Sequence, residues 1–240
     1  LYFQPRNAML YRVLHEKSTN DIVILAVQPD ILKSQDIFIS TGNAAHSASN
    51  ILTASEGRKI ISQIKKDTDK EYWTEEDGSK RKMMAECLVP NMIPTELIQA
   101  IYVANHDDAD KVKMMLQQPN ISVIPEPRMF FEPFRKIDLT AYLSVIDGDM
   151  FFSRMHTLTV SVNCVGIMGK GLASRAKYQF PDVYVFYQDL CRKYKLQLGK
   201  PYIYKRESSF DYQLADEPST LSNANFETWF LLFPTKQHWR

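Results

Sequence analysis

The residues with the clearest chemical potential lie in a glycine-rich loop that spans Val162–Ala173. An apolar, β-rich run leads into Asn163, and a helical pattern opens where the loop ends. Three glycines follow the asparagine closely, namely Gly166, Gly169 and Gly171. Glycines let the backbone approach a ligand, and free N–H groups at a helix N-terminus attract negative charge. The loop therefore predicts a site for the diphosphate of a small molecule.

Two further polar residues are expected near this loop. Asp149 follows a strand-like run, and Lys236 lies just past the last strand-like run. Ligands of open α/β sheets bind beyond the carboxyl ends of the strands, so both residues are predicted to face one crevice with Asn163. The alternatives are that Asp149 caps a helix, that the loop is a plain tight connection and that Lys236 is a surface lysine.

A lone carboxylate, Glu86, stands at the start of another apolar run. Burying a carboxylate is costly unless it has a partner, so its place there suggests a function. The basic cluster Lys80–Lys82 precedes it and could hold phosphate or nucleic acid. The alternatives are that Glu86 forms a surface ion pair with Lys80 or Lys82 and that the basic cluster is a solvated face. Arg6 is a second candidate functional residue of this half, and its alternative is an ordinary surface arginine.

Short strands and two helices are predicted to position Glu86 in the first half. Runs of β-branched and apolar residues predict the strands, and apolar residues on one helical face predict the helices. The predicted strands are Ile22–Val27, Ile37–Ile39, Leu88–Val89 and Ile98–Val103, and the predicted helices are Gly57–Lys66 and Asp107–Gln117.

The second half alternates strands and helices around the glycine-rich loop. Such an alternation, with a glycine-rich loop at a strand end, predicts a three-layer α/β domain. The predicted strands are Tyr142–Ile146, Thr157–Val162, Tyr202–Lys205 and Thr228–Phe233, the predicted helices are Leu172–Gln179 and Pro181–Tyr194, and Glu217–Asn225 is predicted to be a polar loop.

Composition sets limits on the class of protein. The 240 residues suit one large or two small domains, and the formal net charge of +1 provides no global attraction for nucleic acid or membranes. No apolar run is long enough to span a bilayer. The three cysteines are widely spaced, which predicts neither a metal cluster nor disulfides. These features favour a cytoplasmic protein without a metal or a membrane partner.

Three motifs of the second half resemble macrodomains of the DarG family. They are Asp147–Phe151, Val162–Ala173 and Phe233–Arg240. This resemblance implies that Asp149 contacts the adenine of ADP-ribose and that Lys236 is a catalytic lysine. The ADP-ribose-binding residues that it implies are Asp149, Asn163, Val165, Gly166, Met168, Gly169, Lys170 and Gly171.

Segments of the first half resemble the DarT family of DNA ADP-ribosyltransferases. Tyr2–Tyr11 and Lys80–Val89 carry the resemblance, and Asp36–Ser49 resembles the family's DNA-contacting loop. It implies that Glu86 is the catalytic glutamate, that Arg6 clamps a phosphate or positions the acceptor, and that NAD is the substrate. The implied contacts to single-stranded DNA are Thr41, Asn43, Lys80, Arg81 and Lys82.

Together the two resemblances predict a toxin–antitoxin fusion. Residues 1–130, from the C-terminal part of DarT, would attach ADP-ribose to thymine, and residues 138–240, from the N-terminal part of a DarG macrodomain, would remove it. Residues 131–137 would be a linker, and the two domains could contact one another. Both domains are expected to be truncated, and Leu1–Gln4 is either native strand or a tag remnant. The alternatives are an ADP-ribose-binding module with an inactive transferase remnant and an inactive fragment.

Overall fold

A computed structural model describes residues 1–116, 120–221 and 227–238 of the chain, which form a mixed α/β fold. The helices are α1 (Ala8–Glu16), α2 (Ala54–Lys59), α3 (Ile61–Thr68), α4 (Ser79–Met83), α5 (His106–Met115), α6 (Gly171–Gln179), α7 (Pro181–Arg192) and α8 (Phe210–Leu214). The strands are β1 (Ile24–Val27), β2 (Phe38–Ser40), β3 (Ile51–Thr53), β4 (Cys87–Leu88), β5 (Ile98–Val103), β6 (Ser122–Pro125), β7 (Arg135–Thr140), β8 (Leu143–Asp147), β9 (Thr157–Asn163), β10 (Tyr202–Arg206) and β11 (Thr228–Lys236).

The chain divides into two compact units whose boundaries differ from the predicted domains. Unit 1 comprises Leu1–Asp149 and Leu214–Asn223, and unit 2 comprises Met150–Gln213 and Ala224–Arg240. The predicted linker, residues 131–137, runs into β7, which pairs with β8 in a hairpin of unit 1. Phe134 N in this linker donates to Asp147 O at the end of β8 over 2.8 Å, so the linker is tied to the hairpin.

Unit 1 contains a sheet in the order β1-β5-β6, in which β5 and β6 are parallel. Helix α5 connects these two strands, and it begins at Asn105, whose side chain accepts a hydrogen bond from Asp108 N. Ile101, Val103 and Ala109 are buried together, so the helix packs on the sheet through its apolar face. The predicted strand Ile98–Val103 is confirmed.

A second sheet of unit 1, in the order β3-β2-β4, carries Glu86 at its edge. Leu1 N donates to Cys87 O over 2.8 Å, and Phe3 N donates to Ala85 O over 3.1 Å. These bonds pair the first residues antiparallel to the segment around Glu86, with Tyr2 opposite it. The backbone around Glu86 is therefore fixed on both sides.

Unit 2 is built on a sheet in the order β10-β11-β9, where β9 and β11 are parallel and β10 is antiparallel. Helices α6 and α7 follow β9 directly in the chain. The fully buried ring of Phe180 lies between the two helices in sequence and packs 4.8 Å from Phe230 and 4.9 Å from Phe210, measured between ring centroids. This aromatic cluster is the core of the unit.

Several predicted elements require correction. The predicted helix Gly57–Lys66 is two helices, α2 and α3, because the backbone of Ile60 departs from helical geometry with ψ near 6°. Lys236 does not follow the last strand but is its final residue, since the pairing of β11 with β9 continues to that point. Helices α1, α4 and α8 and strands β3, β6 and β7 were not predicted.

Parts of three predictions lie outside the described residues. They are the end of the predicted helix at Gln117, residues 222–225 of the predicted polar loop, and Trp239 and Arg240 of the last motif.

Candidate catalytic sites

The carboxylate of Glu86 is half-buried and is held by a loop. Its Oε1 atom accepts a hydrogen bond from Ala44 N over 3.0 Å. The backbone of Glu86 is bonded to Ser40, whose Oγ accepts from Glu86 N over 2.9 Å. Lys80, one of the two expected ion-pair partners of Glu86, pairs instead with Glu75, with Nζ 3.3 Å from Oε2. The carboxylate is therefore oriented by a backbone N–H at the edge of a sheet.

The loop that holds Glu86, residues 41–49, is supported by Arg81. The Nη1 atom of Arg81 donates to Ser49 Oγ over 3.0 Å and to Thr41 O over 3.4 Å. A Cβ atom at Gly42 would lie 2.5 Å from this Nη1 atom, so only glycine lets the guanidinium pack so closely. Arg81 therefore binds the loop from within the protein.

The basic cluster Lys80–Lys82 differs from the predicted DNA-binding face, because two of its side chains are engaged within the protein. Arg81 is engaged by the loop, and Lys80 is only 8% exposed. Thr41 and Asn43 lie in the loop itself, where Asn43 N donates to Arg81 O over 2.9 Å. The structure brings Thr41, Asn43, Arg81 and Glu86 together, but it does not present the three basic side chains as one exposed surface.

Two residues near Glu86 were not predicted, Tyr2 and Asp216. Burial and the negative charges of Glu86 and Asp216 raise the pKa of the Tyr2 phenol to about 12, so the phenol keeps its proton at neutral pH. Asp216 Oδ2 accepts a hydrogen bond from Asn43 Nδ2 over 3.5 Å. No local pattern marks Asp216, because it is 173 residues from Asn43 in the sequence.

The guanidinium of Arg6 is engaged with the protein itself. Its Nε donates to Arg128 O over 3.1 Å, its Nη1 donates to Glu71 O over 3.0 Å, and it lies 4.6 Å above the ring of Phe131. Its Nη2 is 3.6 Å from Asp149 Oδ2. Arg6 and Asp149, which were predicted to serve two different sites, are therefore an ion pair within unit 1.

In unit 2, the side chain of Asn163 builds the glycine-rich loop. Its Oδ1 accepts from Val165 N over 3.0 Å, and its Nδ2 donates to Ile167 O over 2.5 Å. The hydroxyl of Tyr187, on α7, donates to Asn163 Oδ1 over 2.7 Å. The buried amide therefore folds the loop back on itself, and Tyr187 is a supporting residue that sequence reasoning missed.

The glycine-rich loop has the backbone conformation that its composition predicts. Gly166 has φ of 81° and Gly171 has φ of 57°, values that favour glycine. Helix α6 begins after Lys170, whose side chain makes no capping bond to the helix. The N-terminus of α6, with its free N–H groups and the positive end of the helix dipole, is the kind of helix end that binds anions. Gly169 and Lys170 are exposed beside them.

Other predicted members of this site have different environments. Lys236 is exposed and lies opposite Asn163 in the parallel pairing of β11 with β9, so the two residues meet at the carboxyl edge of the sheet as predicted. Val165 is exposed, whereas Met168 is 2% exposed and serves packing. Asp149 belongs to unit 1, whereas the other members of this group belong to unit 2.

A separate cavity of about 730 Å³ lies in unit 1 and is lined mostly by apolar residues, some of which belong to α1 and β1. Its lining includes Tyr2 and Cys87 but not Glu86. Such a lining does not match a diphosphate, which binds to N–H groups and positive charge.

The described part of the chain offers neither a metal-binding group nor a membrane-spanning helix. Within residues 1–116, 120–221 and 227–238, no three His, Cys, Asp or Glu side chains are grouped so that they could hold a metal ion. In the same ranges, none of the helices is both long and apolar enough to cross a membrane.

The sequence of the chain is similar to a known family and to known proteins. The family model for the ssDNA thymidine ADP-ribosyltransferase DarT matches residues 1–131. A DNA ADP-ribosyl transferase–DNA ADP-ribosyl glycohydrolase fusion protein of Thermosipho africanus is 58% identical over 241 residues, which cover 100% of this chain and 62% of the relative. The chain thus spans less than two thirds of that relative's length.

A solved structure resembles the fold of the whole chain, and a curated protein resembles the sequence of its second half. The structure of Thermosipho africanus DarTG in complex with ADP-ribose matches with a TM-score of 0.90 and 56% identity, over 100% of this chain and 62% of that one. A DNA ADP-ribosyl glycohydrolase of Thermus aquaticus is 35% identical over 98 residues, or 41% of this chain and 23% of the relative. The transferase-like half of this chain comes first, and DarG macrodomain homology follows it. Because the family model matches more than half of its residues, the chain belongs to the DarT family of ssDNA thymidine ADP-ribosyltransferases.

Proposed function

We propose that the first half of the chain transfers ADP-ribose from NAD to thymine bases in single-stranded DNA, with Glu86 as the catalytic carboxylate. The observation that carries the proposal is the hydrogen bond between Ala44 N and Glu86 Oε1, 3.0 Å long. It holds the carboxylate at the loop that resembles the family's DNA-contacting loop. Membership of the DarT family and the printed activities of the Thermosipho africanus relative support the same assignment.

In this proposal the main catalytic requirement is a carboxylate positioned beside the ribose of NAD. The bond between the anomeric carbon of the ribose and nicotinamide breaks, and its electron pair leaves with nicotinamide. Glu86 stabilises the positive charge that develops on the ribose. A thymine nitrogen then bonds to the anomeric carbon, and Glu86 accepts its proton. A base in single-stranded DNA is already unpaired, so no flipping cost arises.

The other residues of the transferase site take supporting roles in this proposal. The two carbonyl contacts of Arg6 support a role in positioning rather than as a phosphate clamp. Thr41, Asn43 and Lys82 remain the proposed contacts to DNA. Lys80 and Arg81 act through their contacts to Glu75 and to the loop.

We further propose that the second half removes ADP-ribose from DNA by hydrolysis as a three-layer macrodomain. The open N-terminus of α6 and the glycine-rich loop would hold the diphosphate, and Lys236 would act at the anomeric carbon. The position of Lys236 opposite Asn163 at the carboxyl edge of the sheet supports this role. The second candidate is a module that binds ADP-ribose without hydrolysis, which the exposed position of Lys236 also allows.

In this proposal, residues 1–130 transfer ADP-ribose to DNA and residues 138–240 remove it. Both reactions take place in the cytoplasm. The compact units differ from this division, because the β7–β8 hairpin and residues 214–223 lie in unit 1.

The test uses the purified Lys236→Ala protein, in which the proposed removal is blocked, with NAD and a thymine-containing single-stranded oligonucleotide, and the oligonucleotide mass is the readout. In this background Glu86→Gln should abolish the ADP-ribose adduct, whereas Glu96→Gln, an exposed glutamate of the same unit, should leave it unchanged. An adduct formed by the Glu86→Gln variant at the rate of the parent Lys236→Ala protein would overturn the transferase mechanism.

The removing activity is tested with adduct-bearing oligonucleotide. Lys236→Ala should preserve the adduct, and Lys205→Ala on the neighbouring strand β10 should remove it like the wild type. If the wild-type protein binds ADP-ribose but never removes it, the binding-module candidate is correct.

A further inference from the structure

A short segment of the second half of the sequence is part of the transferase unit. We call residues 214–221 the return segment, because the chain re-enters unit 1 there. Trp73 Nε1 donates to Leu214 O over 2.9 Å, and both groups are buried. Two residues later, Asp216 N donates to Ala8 O at the start of α1 over 3.1 Å. The backbone on either side of residue 215 is therefore fixed to unit 1.

The same attachment continues beyond Asp216. Glu217 forms an ion pair with Arg12 on α1. With anchors before and after it, the side chain of Asp216 has a defined direction, and its Oδ2 accepts a hydrogen bond from Asn43 Nδ2 over 3.5 Å.

This bond lies one residue from the contact that orients the catalytic carboxylate. Asn43 is followed by Ala44, whose N–H donates to Glu86 Oε1 over 3.0 Å. Asn43 also shapes the turn, since its Oδ1 accepts from Ala45 N over 3.0 Å. A side chain that fixes Asn43 therefore fixes the N–H that holds Glu86.

Tyr2 links Asp216 to the surroundings of Glu86. Burial is the main cause of the raised pKa of the Tyr2 phenol, and the charges of Glu86 and Asp216 add to it. Tyr2 is also the backbone partner of Glu86.

We propose that Asp216 is a positioning residue of the transferase site, which holds Asn43 so that the 41–49 loop keeps Ala44 N–H on the carboxylate of Glu86. This inference rests on the proposed transferase function. It means that the transferase is completed by a residue encoded within the macrodomain-like half.

The test compares Asp216→Ala with Asp216→Asn. The alanine variant should lose about 3- to 10-fold in kcat/KM for the oligonucleotide, since the hydrogen bond that holds Asn43 is removed. The asparagine variant keeps an oxygen that accepts from Asn43, so it should recover most of this loss. Asp189→Asn, which removes the same charge from a helix of unit 2, should match the wild type.

A double substitution separates positioning from a general effect on folding. Asn43→Ala should cost at least as much as Asp216→Ala, because it also removes the bond to Ala45 N, and the double variant should cost no more than Asn43→Ala alone, since Asp216 acts only through Asn43. Wild-type activity in Asp216→Ala, failure of Asp216→Asn to recover it, or additive losses in the double variant would each overturn the proposal.

Hydrogen exchange of the 41–49 loop, followed by mass spectrometry on the whole protein, tests the contact without relying on activity. Exchange should be faster in Asp216→Ala than in the wild type and unchanged in Asp216→Asn. Equal exchange in the wild type and Asp216→Ala would contradict the proposed contact. A wild-type protein that lacks transfer activity but shows the expected exchange pattern would overturn the proposed function and leave the contact established.

Discussion

Asn163 shows how one buried side chain can shape a ligand loop from inside the protein. Its amide oxygen and nitrogen are satisfied by the loop backbone and by Tyr187. In the proposed macrodomain, the backbone N–H groups of the loop would then face the diphosphate, as in other anion-binding loops. Asn163 therefore supports the loop, and its contact to ADP-ribose stays a prediction.

The Tyr187 hydroxyl is the support that a substitution can remove cleanly. Burial is the main cause that raises the pKa of Tyr187, so the phenol remains a donor at neutral pH. Tyr187→Phe should lower the free energy of unfolding by about 1–3 kcal/mol, because buried acceptors on Asn163 lose their partner. It should also weaken ADP-ribose binding, because the loop loses its order. Urea unfolding and calorimetric titration with ADP-ribose measure the two effects.

The matched control is Tyr194→Phe, since that ring is 88% exposed and should affect neither quantity. Unchanged ADP-ribose affinity in Tyr187→Phe would contradict the supporting role.

At the scale of elements, the close contact between helix α2 and strand β2 positions the sheet that carries Glu86. Thr53 and Glu56 form a capping box that starts the helix, and Gly57 is the residue that meets the sheet. A Cβ atom at Gly57 would lie 2.5 Å from the Cβ of Ile39, whose side chain is fully buried. The helix can pack at this distance only because residue 57 has no side chain.

Gly57→Ala should therefore destabilise unit 1 by about 1–3 kcal/mol, since the clash outweighs the gain in helix propensity. Chemical denaturation followed by the fluorescence of the buried Trp73 measures this change.

Ser55→Ala on the exposed face of the same helix is the control, and it should be neutral or slightly stabilising. A stabilised Gly57→Ala variant would show that α2 can move away from Ile39.

At the scale of the whole molecule, the chain passes between the two units three times. It leaves unit 1 after Asp149, returns at Leu214 and leaves again after Asn223. If unit 2 unfolds, residues 150–213 become a long flexible loop, and closing such a loop costs about 4 kcal/mol. The return segment would then bind unit 1 less firmly, so we expect the stability of unit 1 to depend on the folding of unit 2.

Phe180→Ala should lower the midpoint of unfolding reported by Trp73 in unit 1, although Phe180 lies in unit 2. Removing this fully buried ring should cost unit 2 about 3–5 kcal/mol. The measurement is denaturant unfolding of a variant in which Trp73 is the remaining tryptophan.

Tyr178→Ala, at a ring that is 59% exposed, is the control and should leave the Trp73 transition unchanged. If Phe180→Ala leaves the midpoint of the Trp73 transition unchanged, the two units unfold independently.

Local pattern determined a definite part of this protein. The strand–glycine loop–helix order around Val162–Ala173 and the strand Ile98–Val103 follow from residue types that are close in sequence. The same is true of Glu86 as an unusual carboxylate in an apolar run. Strand and helix periodicities act over a few residues, so a single sequence records them directly.

Tertiary structure alone decided which of these residues meet. It paired Arg6 with Asp149, placed the Tyr187 hydroxyl on Asn163 and brought Asp216 to Asn43. The last two residues are 173 positions apart, and nothing in the composition of either segment indicates the other. Such contacts depend on how the chain returns to unit 1, which is set by the packing of whole elements rather than by local sequence.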